Sequence, residues 1–219
     1  GGYSGDNQNN PTSFTMGNQV TMSGSGELDN GMTVSMSFEL DNGETVFDNH
    51  SVTISTEDMG SLKFSGHGGS SATSSIDGTV AGDIWDGFDG AAAVAVGITG
   101  QAVSASGGIN NSMFYTAPSM MDGLSIFASY NPQSASSEGE VGYGLTYTGV
   151  EGLSVSYAIM DENTGTTNTS GEQTAWKATY AYGPVTVGMS NNDYDVGSAG
   201  TDQETDSYSI AYTVSDEIS

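Results

Sequence analysis

The chain has no cysteine and very little proline or positive charge. Its 219 residues include 4 Pro and only 2 Lys or Arg. The absence of cysteine excludes disulfide frameworks and thiolate metal sites. No stretch approaches the run of about 20 apolar residues that a membrane-spanning helix requires. No leader of the signal-peptide kind is recognisable, so if the chain is exported, we expect it here in its processed form.

The charge balance is strongly acidic. There are 27 Asp and Glu residues against the 2 basic ones, which gives a formal net charge of −25. Such a chain repels nucleic acid and anionic lipid headgroups. A nucleic-acid-binding role and a polybasic membrane-surface role are therefore excluded, and cations are the expected counter-species.

Enzyme signatures are also missing. The sequence contains no G-x-S-x-G elbow, phosphate-binding loop or H-E-x-x-H motif, so we predict that the protein is not an enzyme. His50 and His67 have no Cys or suitably spaced His/Asp partner of the kind that a zinc site needs. We interpret both as solvated loop histidines, and we predict no metal site and no cofactor.

What the sequence does contain is a strict alternation of apolar and polar residues. In residues 32–40 every even position is apolar, and every odd position is a small hydroxyl residue or a carboxylate. Side chains of a strand point to opposite faces with a period of two, so this pattern predicts a half-exposed strand. Similar segments recur at 14–28, 52–54, 62–64, 124–130, 141–147, 153–159, 176–182, 185–189 and 208–214.

The connections between these segments fall into two alternating classes. Short turns rich in Asn, Asp and Gly, which suit tight hairpins, alternate with long polar connections. This asymmetry is typical of a transmembrane β-barrel with short turns at one end and long loops at the other. The short turns are 29–31, 58–60, 121–123, 149–152 and 182–184, and the long connections are 41–49, 66–111, 131–140, 161–173 and 191–206.

Three other classes were weighed. A disordered acidic chain has no reason to keep apolar residues at every second position. A soluble β-sandwich or barrel also alternates, but its inner faces must meet in one core, whereas the polar positions here are mostly Ser, Thr, Gly and Ala. A secreted or surface β-solenoid, in a structural or adhesion role, would show a fixed repeat; it remains the alternative function.

Tyrosines lie near the predicted strand ends. Tyr147, Tyr182 and Tyr212 are close to short turns, and Tyr130 is close to a long connection. Rings at these heights suit the two aromatic girdles of a membrane barrel. The simpler explanation, that tyrosine favours strands, stays open for each of them.

The connection 66–111 is several times longer than the others. A structureless connection of this length is uncommon unless it has a function. It carries acidic residues and two aromatic ones, followed by a run of small residues at 91–98.

Three features of the sequence are specific enough to compare with a known family: the segment VTMSGSGELDNGMTVSMSFELDNG, the segment HSVTISTEDMGSLKFSG and the long third connection. Together they resemble Gram-negative general-diffusion porins of the alphaproteobacterial type. The resemblance implies an all-β antiparallel barrel on a sixteen-stranded plan, trimeric in the bacterial outer membrane, whose third loop folds into the lumen. On that plan the segment ending near Leu28 is the second strand and 207–214 the twelfth. We therefore expect 1–219 to be one incomplete barrel domain of about eleven strands, with 66–111 as its pore-constricting loop.

The resemblance also implies site residues. The third-loop acids Asp77, Asp83, Asp86 and Asp89 would form the acidic side of the constriction. Members of the family usually place a basic cluster opposite, but the polar positions of the corresponding strands hold no Arg here. Lys63 and Lys177 fall on polar positions and are predicted to face the lumen; a purely structural pairing with lumenal carboxylates is the alternative. We expect a cation-preferring pore for small hydrophilic solutes.

Carboxylates are also concentrated in the last long connection. Asp193, Asp195 and the acids of 202–206 lie there, and hard divalent cations bind clustered oxygen ligands. Without EF-hand spacing the pattern does not indicate a dedicated site, and loosely bound Ca²⁺ stays open. We expect divalent ions to screen the external acids and to bridge them to lipopolysaccharide beside the surrounding outer-membrane lipid.

Overall fold

The chain folds into one antiparallel sheet of eleven strands in a computed structural model that describes residues 19–41, 47–76, 110–132, 139–162, 171–196 and 202–213. Each strand pairs with the next one in the sequence, from β1 at one edge to β11 at the other. The predicted all-β antiparallel fold of about eleven strands is confirmed. The strands are β1 Val20–Glu27, β2 Thr33–Leu40, β3 Phe47–Thr56, β4 Gly60–His67, β5 Ser112–Thr116, β6 Leu124–Asn131, β7 Glu140–Tyr147, β8 Leu153–Glu162, β9 Gly171–Tyr182, β10 Val185–Val196 and β11 Gln203–Tyr212.

Helical structure is limited in the described residues. A 3₁₀ turn at Ser74–Ile76 lies between β4 and β5. No helix in this part of the chain is long and apolar enough to cross a membrane.

The register gives the sheet two chemically different faces. Strand neighbours in register share a face, and one row across β1 to β5 consists of serines alone: Ser23, Ser37, Ser51, Ser65 and Ser112. We term this side the hydroxyl face. The opposite side, where Met22 is in register with Phe38 and Val34 with Ile54, is the apolar face.

The apolar face is not covered by the described residues. Among the described residues, twenty-four large hydrophobic side chains are exposed on this face and in the turns, against six buried hydrophobic ones. Apolar surface of this extent on a water-soluble monomer would be exceptional. The arrangement therefore argues against the β-sandwich, whose inner faces would have to bury these side chains.

The short turns have the predicted chemistry. Gly31 and Gly123 adopt φ of 79° and 75°, a left-handed conformation that glycine reaches without a Cβ penalty. The other three short turns also contain a glycine with positive φ. All five predicted short turns are confirmed.

The predicted bounds of three long connections were wrong, because the strands continue past the ends of the apolar–polar alternation. The strand β3 begins at Phe47, and β8 reaches Glu162. The strand β10 extends to Val196, and β11 begins at Gln203. A ladder is held by backbone hydrogen bonds, which need no apolar side chain. Alternation therefore marks only the part of a strand that has one apolar side. The five-residue strand β5 is too short for its alternation to have been recognised.

Candidate functional site

The base of the long connection 66–111 folds back onto the hydroxyl face. Ala72 and Thr73 are 0% exposed and Ile76 is 6% exposed, and the 3₁₀ turn contacts β8 and β9. We term the receiving surface the loop seat; it consists of Phe127, Ser129, Gly142, Gly144, Ala158, Met160, Gln173 and Ala175. Ala72 and Ile76 form a small buried cluster there with Phe127, Ala158 and Ala175.

Two hydrogen bonds fix the connection to the loop seat. The backbone N–H of Ala72 donates to Ser129 Oγ at 2.9 Å, and Thr73 Oγ1 donates to Gln173 Oε1 at 2.9 Å. Both bonds are buried, so removing one partner leaves a desolvated polar atom at a cost of about 1–3 kcal/mol. The two hydrogen bonds therefore stabilise the turn in this position on the sheet relative to shifted positions in which they could not form.

Glycine makes room for the turn in the loop seat. A Cβ on Gly142 would lie 2.9 Å from the Ala72 side chain and 2.8 Å from Ser129 Oγ. A Cβ on Gly144 would lie 2.7 Å from the Phe127 ring. All three distances are shorter than real Cβ contacts allow, so the two glycines are a steric requirement of this packing.

The two ends of the long connection are held together. Asn111 N donates to Gly66 O, and Gly68 N donates to Asn110 Oδ1, each at 3.1 Å. Residues 77–109 lie outside the described part. The predicted constriction residues Asp77, Asp83, Asp86 and Asp89 are all among them, so their role stays a prediction.

Lys63 lies on the hydroxyl face in a groove of about 530 Å³. It is in register with Thr53 on one side and Phe114 on the other. Over the described ranges no carboxylate lies within 4.0 Å of its ammonium group. The groove lining otherwise consists mainly of hydroxyl side chains, namely Ser23, Ser25, Ser35, Ser37, Ser51 and Thr53.

Lys177 lies on the same face, further around the sheet. It is half-buried and in register with Ser156 of β8 and Ser190 of β10. The two lysines of the sequence therefore lie on strands with hydroxyl side chains, five strands apart.

A second group of ionisable side chains lies where β2, β3 and β4 reach their long-connection ends. The carboxylates of Glu39, Asp41 and Asp48 come within 4.8 Å of one another, close enough to hold a cation between them. His67 Nδ1 lies 2.8 Å from Asp48 Oδ1. Alternation placed Glu39 on the polar face, but nothing in the sequence indicated that Asp48 and His67 would join it.

The prediction that both histidines lie in loops was wrong. His67 is the last residue of β4 and His50 lies inside β3. The His50 ring is on the apolar face in register with Phe38, with its centroid 6.2 Å from that of Phe47 and Nδ1 2.8 Å from Asp48 O. Both strands continue past a register shift at this point, which no periodic pattern reveals.

Four of the five acids that we assigned to an external loop lie instead on paired strands, and Asp202 directly precedes β11. Asp193 is in register with Glu204, and Asp195 with Glu172. Partial burial, and then the nearby carboxylates of Glu204, Asp195 and Asp202, raise the pKa of Asp193. Asp193 and Asp195 lie on the same side of the sheet as the apolar face. They come after Met189, which is the last apolar residue of that face on β10, so the acids lie beyond the apolar part of this side.

The four predicted girdle tyrosines are carried by strands that alternate in the predicted way. Tyr130, Tyr182 and Tyr212 are exposed on the apolar face, at 42%, 77% and 60%, and Tyr147 is half-buried. Sequence reasoning missed Tyr115, whose hydroxyl donates to the turn carbonyl Met59 O at 2.8 Å. The girdle function itself stays a prediction.

Comparison with known proteins identifies the family. No curated protein matches the chain. Among solved structures, a porin refined at 1.8 Å resolution is 15% identical, with a TM-score of 0.54 over 88% of this chain and 68% of that one. An engineered variant of the Rh. blastica porin is 13% identical over 90% and 80% of the two chains, with a TM-score of 0.43. The family model described as Gram-negative porin matches residues 1–217, and the chain therefore belongs to the Gram-negative porin family.

Proposed function

We propose that the full-length protein forms a water-filled outer-membrane channel that prefers cations and passes small hydrophilic solutes. The observation that carries the proposal is the separation of the two faces. One face carries hydroxyl groups suited to water, with a row of serines that runs across β1 to β5, and the other exposes large apolar side chains suited to lipid. Family membership supports the channel and its location in the outer membrane.

The cation preference rests on charge. The sequence has 27 acids against 2 bases, and acids in a narrow, partly desolvated passage raise the local concentration of cations. The two basic residues of this sequence, Lys63 and Lys177, lie five strands apart on the sheet. We place the constriction at the connection 66–111, with Asp77, Asp83, Asp86 and Asp89 as its acidic side.

The loop seat supports this placement of the constriction. The seat holds the first turn of the connection against the inner wall by two buried hydrogen bonds and a small apolar cluster. A connection anchored there begins its course on the hydroxyl face. We further propose a homotrimer, tyrosine girdles at the lipid interface, and external acids bridged to lipopolysaccharide by divalent ions.

The test is the reversal potential of the full-length protein in a planar bilayer under a KCl gradient. A cation-preferring channel gives a potential near that of K⁺, and Lys63→Glu should shift it further in the same direction. Lys177→Glu makes the same change of charge at the other lysine and is compared with Lys63→Glu. A potential of the anion sign in the unmodified protein would overturn the proposed selectivity, and the lack of any conductance would overturn the proposed channel.

A further inference from the structure

The groove around Lys63 combines one positive charge with several hydroxyl groups. It has a volume of about 530 Å³ and lies on the hydroxyl face of β1 to β4. Half-buried Lys63 is in register with Thr53, Thr53 with Ser35, and Ser35 with Ser25. Side chains in register lie about 5 Å apart at their Cβ atoms, so one small solute in the groove can contact several of these groups at once.

The polar groups of the groove are not engaged with other parts of the protein. Within the described ranges its serine and threonine hydroxyls make no hydrogen bond to a protein group. Elsewhere on the same face Thr146 and Ser156 bond to each other at 2.9 Å. Lys63 likewise has no carboxylate within 4.0 Å in the described part, whereas Lys177 does interact with a neighbour. The donors of the groove are therefore available to water and to solutes.

The groove is locally positive in an acidic protein. The carboxylates of this face on β1, β2 and β3 lie towards the strand ends: Glu27 on β1, Glu39 on β2 and Asp48 on β3. From the strand spacing and the rise per residue, each is more than about 10 Å from the register position of Lys63. Exposed charges at such a distance are largely screened at physiological ionic strength. The ammonium group of Lys63 therefore dominates the potential inside the groove.

We propose that this groove is a binding subsite for the phosphate group of a small hydrophilic solute. The inference deepens the proposed function and rests on it, because the groove faces the passage when the hydroxyl face lines the channel. Lysine binds phosphate as a point charge, and hydroxyl groups donate to the remaining oxygens. A phosphate group carries close to two negative charges and three strong acceptor oxygens, so it uses more of these donors than a carboxylate does.

Such a subsite has a use in a channel that prefers cations. The net charge of −25 repels anions along the passage, and a phosphate-bearing solute needs a position at which this repulsion is reversed. Lys63 supplies that position. Transport also requires that the solute leave again, so binding must be weak. A single ammonium group with neutral hydroxyls meets this condition better than a cluster of arginines would.

The experiment titrates inorganic phosphate against the full-length protein in detergent at neutral pH and follows the phosphorus NMR line width. The unmodified protein should broaden the line in a saturable way. Lys63→Met should weaken binding at least about fivefold, which is the effect of one unit charge at about 4 Å in water. Lys63→Arg keeps the charge and should retain binding, and Lys177→Met, which removes the other lysine, should bind phosphate as the unmodified protein does.

Two further arms test the chemistry of the subsite. Thr53→Val keeps the shape and the charge of the groove but removes one hydroxyl, so it should also weaken phosphate binding. This variant provides the answer if Lys63→Met does not assemble. Acetate, which has one charge and two oxygens, should compete with phosphate only at much higher concentration.

Three results would overturn the subsite: no saturable broadening by the unmodified protein, unchanged binding in both Lys63→Met and Thr53→Val, or competition by acetate at the same concentration as phosphate. None of these measurements requires a conducting channel. A protein that conducts cations but fails them keeps the proposed function and loses the subsite. A protein that binds phosphate through Lys63 but shows no conductance in a bilayer keeps the subsite and loses the proposed function.

Discussion

Thr73 and Gln173 are 100 residues apart in the sequence, and the Thr73 hydroxyl donates a buried 2.9 Å hydrogen bond to the Gln173 side-chain oxygen. Thr73 belongs to the start of the long connection and Gln173 to β9. The bond therefore fixes a connecting segment to the wall on which it lies. It gives the loop seat a polar anchor in addition to its small apolar cluster.

Removing this anchor should loosen the long connection without unfolding the sheet. Thr73→Val keeps the shape of the side chain but leaves Gln173 Oε1 without this buried donor, at a cost of about 1–3 kcal/mol. We expect noisier single-channel currents and faster cleavage of the connection by a protease. Gln173→Met in the same background should restore part of the loss, because it removes the oxygen that has lost its Thr73 donor; a double variant worse than the sum of its parts would contradict this explanation.

Filling the loop seat should displace the turn that occupies it. Gly142→Val introduces a branched side chain where even a Cβ would lie 2.9 Å from Ala72, and overpacking of this kind costs typically 1–3 kcal/mol. If the connection narrows the passage, its displacement should raise the single-channel conductance. Gly24→Val is the matched control, since a Cβ there meets nothing within 4 Å. Equal conductance in both variants would show that the turn does not control the width.

The two faces should differ in access to water when the protein is in a membrane. The sequence has no native cysteine, so single cysteines can be introduced at neighbouring positions of β2. Ser35→Cys, on the hydroxyl face, should react quickly with a charged water-soluble thiol reagent, because a thiolate forms only where water enters. Met36→Cys, on the apolar face, should react at least tenfold more slowly in liposomes. Similar rates would show that the faces are not separated by lipid.

The acids on the extended ends of β10 and β11 should destabilise the folded protein at neutral pH. Nearby carboxylates and partial burial raise the pKa of Asp193, so the folded state binds this proton more tightly than the unfolded state does. The resulting stability is present at low pH and is lost as the pH rises through the raised pKa.

Asp193→Asn should therefore increase the thermal stability at pH 7, by at most about 3 °C because the site is near the surface. The gain should shrink in high salt and at pH below about 4, where the carboxylate is protonated in both states. Thermal unfolding in detergent at two salt concentrations measures it. A gain that is independent of salt would argue for a packing effect.

The sequence by itself determined the architecture of the sheet. Alternation with a period of two requires one apolar and one polar side, as residues 33–40 show, and glycines such as Gly31 and Gly123 determine where hairpins turn. These signals are local, because each depends only on the backbone geometry of a few consecutive residues. Order, antiparallel pairing and the sidedness of Lys63 and Lys177 follow from them without any long-range information.

Only the tertiary structure decided which distant residues meet. The loop seat joins Thr73 to Gln173, and the ends of β2, β3 and β4 bring Glu39, Asp48 and His67 together. These contacts depend on strand ends, on a register shift between β3 and β4 and on the path of a connection. At these strand ends the backbone pairing continues after the apolar–polar alternation has ended, so the periodicity of the side chains does not reveal how far the strands extend. The physical reason is that strand length is set by hydrogen bonding between neighbours, whereas the readable pattern is set by the contrast between the two faces.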